Sequence, residues 1–237
     1  MTFHVVLMGP QGSGKGTQSA RLRTRMNLAS IATGELFRAA IKQETELGRK
    51  IKAIYDRGDL VPDELTVALV EERLDQLARE RAAGSQFRGA LYDGFPRTVG
   101  QAQALDEALD GRGEAVSIVI AIDVPREELL ERLSGRRVCT KCGHVYNVLS
   151  NPPAQEGICD VCGGTVVQRA DDTPEAVAKR LDLYDVETEP VLAHYARRGL
   201  VQRVDGDQPI EQVTDAIAAA IGARLMAAAG VRQDLKP

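Results

Sequence analysis

Aromatic residues make up only 4% of the 237-residue chain, and tryptophan is absent. Proteins that stack single-stranded nucleic acid need aromatic platforms beside a basic groove. Here Lys plus Arg number 30 against 34 Asp plus Glu, a formal net charge of −4. Both shortages disfavour nucleic acid as a partner. No apolar run approaches the roughly 18 residues needed to span a membrane. The first ten residues, Met-Thr-Phe-His-Val-Val-Leu-Met-Gly-Pro, carry neither a basic leader nor an apolar stretch long enough for a secretory signal. A cytoplasmic protein with no membrane partner is therefore expected. Cysteine is scarce as well, at four residues. In a reducing compartment so few thiols point to metal or chemistry rather than to structural disulfides. Hydrophobic content of 43% and charged content of 27% are ordinary for a globular chain, and the length suits one large domain or one domain with insertions.

Against these absences stands one dense motif. Residues 9–18 read Gly-Pro-Gln-Gly-Ser-Gly-Lys-Gly-Thr-Gln, directly after the apolar run Phe3 to Met8. A strand, a glycine-rich loop ending in Gly-Lys and a helical pattern together describe a phosphate cradle. Glycines let backbone N–H groups turn inward around an anion, and the following helix adds the positive end of its dipole. Lys15 supplies a mobile charge for the β- and γ-phosphates of a nucleoside triphosphate. The general pattern places Ser or Thr directly after the lysine; here residue 16 is Gly and the hydroxyl comes at Thr17. Gly12, Ser13, Gly14, Lys15, Gly16 and Thr17 are the expected triphosphate contacts.

Short, nearly continuous apolar runs at Phe3–Met8, Gly89–Tyr92, Val116–Ile122 and Val201–Val204 read as strands covered on both faces. Helical patterns lie between them, at 14–26, 34–43, 46–57, 62–81, 98–109 and 126–133. Thr173-Pro174-Glu175 forms a helix start, with Thr173 as cap and Pro174 in the first turn. Ile210, Val213, Ile217, Ile221 and Leu225 mark one face of a last helix, and 231–237 reads as a frayed tail. The alternation implies an α/β fold with a doubly wound parallel sheet. Two stretches interrupt it: 32–61 is wholly helical, and 135–172 holds every cysteine. Both read as inserted covers over a site. The expected organisation is a core of 1–31, 62–134 and 173–222, a helical insertion at 32–61, a lid at 135–172 and a tail at 223–237.

In the second insertion Cys139-x2-Cys142 is followed, after 16 residues, by Cys159-x2-Cys162. That spacing falls within the range of structural zinc sites, and Gly143 and Gly163 suit the tight turn around each thiolate. Four thiolates close a tetrahedral shell, so the metal is expected to be structural. His144 is a conceivable substitute ligand but reads better as a surface residue. A zinc ribbon that binds nucleic acid fits poorly, because Lys141 is the only Lys or Arg between Cys139 and Cys162. A disulfide pair is the other reading of the four thiols.

Asp93-Gly94-Phe95-Pro96-Arg97 follows the second strand. An acid at a strand end beside a phosphate loop can hold Mg²⁺ through its waters. With Ala-Thr-Gly-Glu-Leu-Phe-Arg at 32–38, Gly-Arg-Arg-Val-Cys at 135–139 and Gln-Arg-Ala-Asp-Asp at 168–172, the chain resembles the adenylate kinases, in the long form with a zinc-bearing lid found in many bacteria. The resemblance runs from about residue 3 to 222. It departs mildly at Glu35, where Asp is commoner, and at 77–90, which is longer than in compact members.

The resemblance implies the roles. Thr33, Arg38, the backbone of Asp59, Leu60 and Val61, then Gly94, Phe95, Pro96, Arg97 and Gln101 match the AMP site, with Gln101 facing the adenine. Arg132 and Arg136 match arginines near ATP, Val145 and Tyr146 a lid contact to the nucleotide, and Gln208 a backbone contact to the ATP adenine. Arg169 and Arg180 match arginines that converge on the transferring phosphates. Zn²⁺ in the lid and Mg²⁺ with ATP are the implied ions, ATP, AMP and ADP the implied ligands, and a monomer the implied state. Transfer between two polyanions is a problem of position and charge, which Lys15, Asp93 with Mg²⁺, and the arginines answer. The attacking AMP oxygen is largely ionised at neutral pH, since a phosphate monoester's second pKa is about 6. No general base is needed. The alternatives are a UMP or CMP kinase, or a P-loop regulator carrying a zinc ribbon.

Overall fold

The structure is a computed structural model that describes residues 2–44, 46–55, 61–168 and 172–233. Its centre is a parallel sheet of β1 (Phe3–Met8), β2 (Leu28–Ala32), β3 (Gly89–Asp93), β4 (Val116–Asp123) and a last strand Val201–Asp205, in the order β2, β3, β1, β4, last strand. The four expected strands are present. β2 is a fifth, missed because Ala29, Ser30 and Ala32 give a weak apolar signal. Its five residues pair in parallel with β3 from Leu28↔Gly89 to Ala32↔Asp93.

Helices cover both faces, as the apolar runs required. On one face α1 (Lys15–Met26) and the C-terminal helix Ile210–Gln233 pack Leu22, Val213, Ile217 and Ile221 onto Val5, Leu7, Ile118 and Ile120. Buried Gln18 ties the two together: its Nε2 donates to Ile210 O (3.1 Å), and its Oε1 accepts from Thr214 Oγ1 (2.8 Å). On the other face α4 (Asp63–Ala82), α5 (Val99–Asp110) and helix Glu189–Ala196 bury Leu74, Leu77, Leu105, Leu109 and Tyr195 against Val6, Tyr92 and Val119. Two helices, α2 (Thr33–Lys42) and α3 (Glu46–Tyr55), form the helical insertion, held by a small cluster of Phe37, Ala40, Ile51, Val61 and Leu69. The C-terminal helix continues to Gln233, into the stretch expected to fray.

α6 (Arg126–Ser134) leads into the cysteine segment, a three-stranded antiparallel sheet of β5 (Arg136–Cys139), β6 (Val145–Asn147) and β7 (Val166–Val167), in the order β6, β5, β7. The last strand of the central sheet is thus β8. The chain returns through α7 (Pro174–Leu183), where Thr173 accepts a capping bond from Ala176 N (3.3 Å) and Pro174 opens the helix, as its sequence predicts. A π-helical turn at Tyr184–Thr188 joins α7 to α8, the Glu189–Ala196 helix, and α9 is Ile210–Gln233. No described helix is long and apolar enough to cross a membrane.

Candidate active site

β1 and β3 are parallel neighbours, so the loops after them meet at the C-terminal end of the sheet. Residues 9–14 wrap there before α1 begins at Lys15. Gly14 adopts φ 89°, a left-handed conformation that a side chain disfavours, and no described side chain caps the helix. The first N–H groups of a helix lack intrahelical partners. Those of α1, from Lys15 through Gly16 and Thr17, therefore open with the positive dipole end into the loop's concavity. Gly12 seats the loop on α6: a Cβ there would come within 3.0 Å of Leu133 Cγ. Ser13 is buried, with its N–H donated to Pro10 O (3.2 Å) and its Oγ without a partner among the described residues.

The Lys15 ammonium folds back over the loop and donates to Gly9 O (2.6 Å) and Pro10 O (2.8 Å). Burial pulls its pKa down from 10.5 to about 8, with Arg97 and Arg136 adding to the depression and Asp93 opposing it. Asp93 ends β3 beside the loop; its Oδ2 lies 3.9 Å from where a Cβ on Gly16 would stand. Burial raises the Asp93 pKa, Lys15 and Arg97 hold it down, and Glu35 pushes it up again. The sequence offered no sign that Glu35 lies within electrostatic reach of Asp93. Because kcat/KM reports the free enzyme, kcat/KM for ATP is expected to fall as pH rises through about 8 and Lys15 loses its proton. A flat profile from pH 7 to 9 would contradict this.

The strand-end loop after Asp93 joins the two sides. Gly94 O accepts from Thr33 Oγ1 (2.9 Å) at the start of α2 and from Arg97 Nε (2.9 Å). The Phe95–Pro96 peptide is cis, and Phe95 is buried. Gln101 is buried in the first turn of α5, where its Oε1 accepts from Arg97 N (2.8 Å) and its Nε2 donates to Asp63 Oδ1 (2.7 Å). Arg38 lies along α2, over Gly34. Val61 packs into the insertion's cluster. Asp59, Leu60 and Arg169 lie outside the described residues.

The remaining arginines separate into two groups. Arg180 on α7 reaches the phosphate loop, donating to Gln11 Oε1 (3.2 Å). Arg136, at the first position of the lid sheet, is held by a bidentate pair with Asp172, whose side chain is fully buried at the lid's other end. Asp172 stands in a quoted motif, but its partner was not legible. Arg132 instead faces the β8–α9 loop: it bonds Glu128 Oε1 (2.7 Å), Gly206 O (3.0 Å) and Asp207 Oδ1 (3.0 Å). Gln208 belongs to the same loop, its Nε2 donating to Asp205 Oδ2 (2.8 Å).

In the lid the four thiols converge, with all Sγ atoms within 4.8 Å of one another. Cys139 and Cys162 Sγ are 3.5 Å apart, Cys142 and Cys159 Sγ 3.6 Å. Zn–S bonds of about 2.3 Å in a tetrahedron place sulfurs close to 3.8 Å apart, so the donor set fits one thiophilic ion. Each Cys-x2-Cys turn closes alike: Gly143 N donates to Cys139 O (3.0 Å), and Gly163 N to Cys159 O (2.8 Å). Both glycines have positive φ, 74° and 67°, as that turn predicts. Gly164 leaves room for the thiols, since a Cβ there would sit 3.0 Å from Cys139 Sγ. His144 is exposed, edge-on to Tyr146, and outside the cluster. Tyr146 itself is buried. Its hydroxyl donates to Cys159 Sγ (3.4 Å) and accepts from Asp160 N (2.8 Å). Its side chain thus faces the thiols, and the exposed neighbour is Val145.

A parallel sheet in this order, with a glycine-rich loop leading into a helix and an acid ending the adjacent strand, is the architecture of a P-loop nucleotide-binding protein. The family model described as adenylate kinase matches residues 7–200. An adenylate kinase of Moorella thermoacetica is 51% identical over 220 residues, covering 93% of this chain and 98% of its own. That of Carboxydothermus hydrogenoformans is 49% identical over 209 residues, 88% of this chain and 94% of its own. That of Clostridium acetobutylicum is 46% identical over 218 residues, 92% and 98% respectively. The chain belongs to the adenylate kinase family.

Proposed function

We propose that the protein transfers the terminal phosphoryl group of ATP to AMP, reversibly and with Mg²⁺, giving two ADP. The observation that carries this is the convergence of Lys15, Asp93 and Arg97 at the adjoining ends of β1 and β3, in front of the open N-terminus of α1. The loop N–H groups from Gly12 to Thr17 cradle the ATP phosphates, and Lys15 exchanges its two carbonyl partners for phosphate oxygens. Arg97 and Arg38 hold the AMP phosphate. Arg136, Arg180 and Arg169 neutralise the transferring group, and Arg132 with Gln208 frames the ATP base. Gln101 reads the AMP base, beside Thr33 and the backbone of 59–61.

The half-buried Asp93 carboxylate, short of solvent and facing the loop, fits a divalent cation held with ATP. Asp93 would hold that ion, which would supply charge neutralisation on the ATP phosphates. In-line attack by an AMP oxygen requires no protein base. Residues 32–61 and 135–172 act as covers, excluding water as the competing nucleophile. Cys139, Cys142, Cys159 and Cys162 would hold Zn²⁺, which would fasten the lid and take no part in transfer. The protein acts as a cytoplasmic monomer. ADP formation from Mg·ATP, with AMP, UMP and CMP offered separately, tests this reading. AMP is expected to be strongly preferred; preference for UMP or CMP would contradict the assignment of Gln101.

A further inference from the structure

The amide of Gln101 can be inserted in either of two orientations, and only its hydrogen-bond partners decide which end is oxygen. Here both partners are unambiguous. Arg97 N is a backbone donor and lies 2.8 Å from Oε1; Asp63 Oδ1 is a carboxylate acceptor and lies 2.7 Å from Nε2. Reversing the amide would set N–H against N–H and oxygen against oxygen. Asp63 is itself fixed, because its Oδ2 accepts from Thr98 Oγ1 (2.6 Å). The same Thr98 oxygen caps α5 by accepting from Gln101 N (3.1 Å). Gly100 leaves the carboxylate space, since a Cβ there would lie 3.1 Å from Oδ2. Asp63 thus sits over the N-terminal end of α5, where the helix dipole favours an anion.

An amide has two N–H groups and two lone pairs. With one of each used internally, Gln101 keeps one donor and one acceptor, in a fixed order, that no other described residue engages. Adenine presents an amino donor beside a ring-nitrogen acceptor on its pairing edge. Hypoxanthine, of the same shape, presents a carbonyl acceptor beside a ring N–H donor. A locked amide matches the first and opposes the second at both positions.

We propose that Asp63 is a positioning residue that sets base selection at the monophosphate site by locking the Gln101 amide, so that 6-amino purines are accepted and 6-keto purines refused. The proposal rests on the reading of Gln101 as the adenine contact. In Asp63→Asn the new side-chain amide can present either its oxygen or its nitrogen to Gln101, and one of the two locks is lost.

The test is the ratio of kcat/KM for AMP to that for IMP, which is independent of the fraction of enzyme that is folded and active. Unpaired polar groups in a site built for hydrogen bonding can change discrimination by up to about 10⁴–10⁵-fold. Gln101→Ala is expected to collapse the AMP:IMP ratio, and Asp63→Asn and Asp63→Ala to narrow it by about tenfold or more. If Gln101→Ala collapses the ratio and neither Asp63 variant moves it, the positioning role is wrong while the base contact stands. If Gln101→Ala leaves the ratio unchanged, the base contact itself is misassigned and the proposal falls with it.

Discussion

Lys15→Met is expected to lower kcat/KM for ATP by about 10³-fold, the scale on which preorganised charges act on phosphoryl transfer. The methionine fills a similar volume and removes the only change that matters, the ammonium that bonds Gly9 O and Pro10 O. Those two carbonyls are loop positions, and on the proposed reading the lysine exchanges them for phosphate oxygens. The same substitution should stabilise the nucleotide-free protein. Burial holds the folded pKa near about 8, below the ordinary 10.5, so between these values the unfolded chain binds more protons and stability rises with pH. Below about 8 the fold carries the full burden of a buried ammonium. Lys15→Met removes that burden, and its apo Tm at pH 7 should exceed the wild-type value. A variant with near wild-type activity would remove Lys15 from the phosphate site; a lower apo Tm would mean that the two carbonyl bonds outweigh the desolvation.

Metal removal is expected to produce the other large effect, on stability rather than chemistry. The lid's own core is small: Cys139, Cys159, Tyr146 and Val166, with Cys162 against them. Two of its three buried anchors besides Val166 are thiols, and the third, Tyr146, spends its hydroxyl on a thiol. Without an ion the cluster has little apolar area to hold it, and small units of this kind depend on the metal for folding. Loss of a few kcal/mol in a chain of this size lowers Tm by about 10 °C. Chelation, or Cys159→Ser, should therefore reduce Tm by that order while leaving kcat at low temperature within a few-fold. An unchanged Tm after verified metal loss would contradict a structural role. Loss of ADP formation at unchanged Tm would place the metal in the reaction.

The strands beside the phosphate loop were legible because burial on both faces leaves a nearly continuous apolar run, as in Phe3–Met8 and Val116–Ile122. The loop was legible because its glycines have no substitute in that geometry. β2 was not, since a strand of Leu, Ala, Ser, Ile and Ala is defined by its five-residue pairing with β3 rather than by its composition. Asp63 escaped notice for a related reason. At the start of α4 it reads as an ordinary acid favoured by the helix dipole, and its partner Gln101 lies 38 residues away. Asp172 likewise meets Arg136 across 36 residues, the length of the lid that separates them. Tyr146 has a partner that motif likeness gave no sign of: the pairing of β5 with β6 turns the ring into the lid's core and its hydroxyl to Cys159.

The proposed reaction hands a phosphoryl group to AMP and withholds it from water. A single-turnover reaction with γ-labelled ATP, Mg²⁺ and saturating AMP tests it directly, by the division of label between ADP and inorganic phosphate. Label is expected almost wholly in ADP, with little release of phosphate when AMP is omitted. Label appearing chiefly as inorganic phosphate, with AMP present, would contradict it.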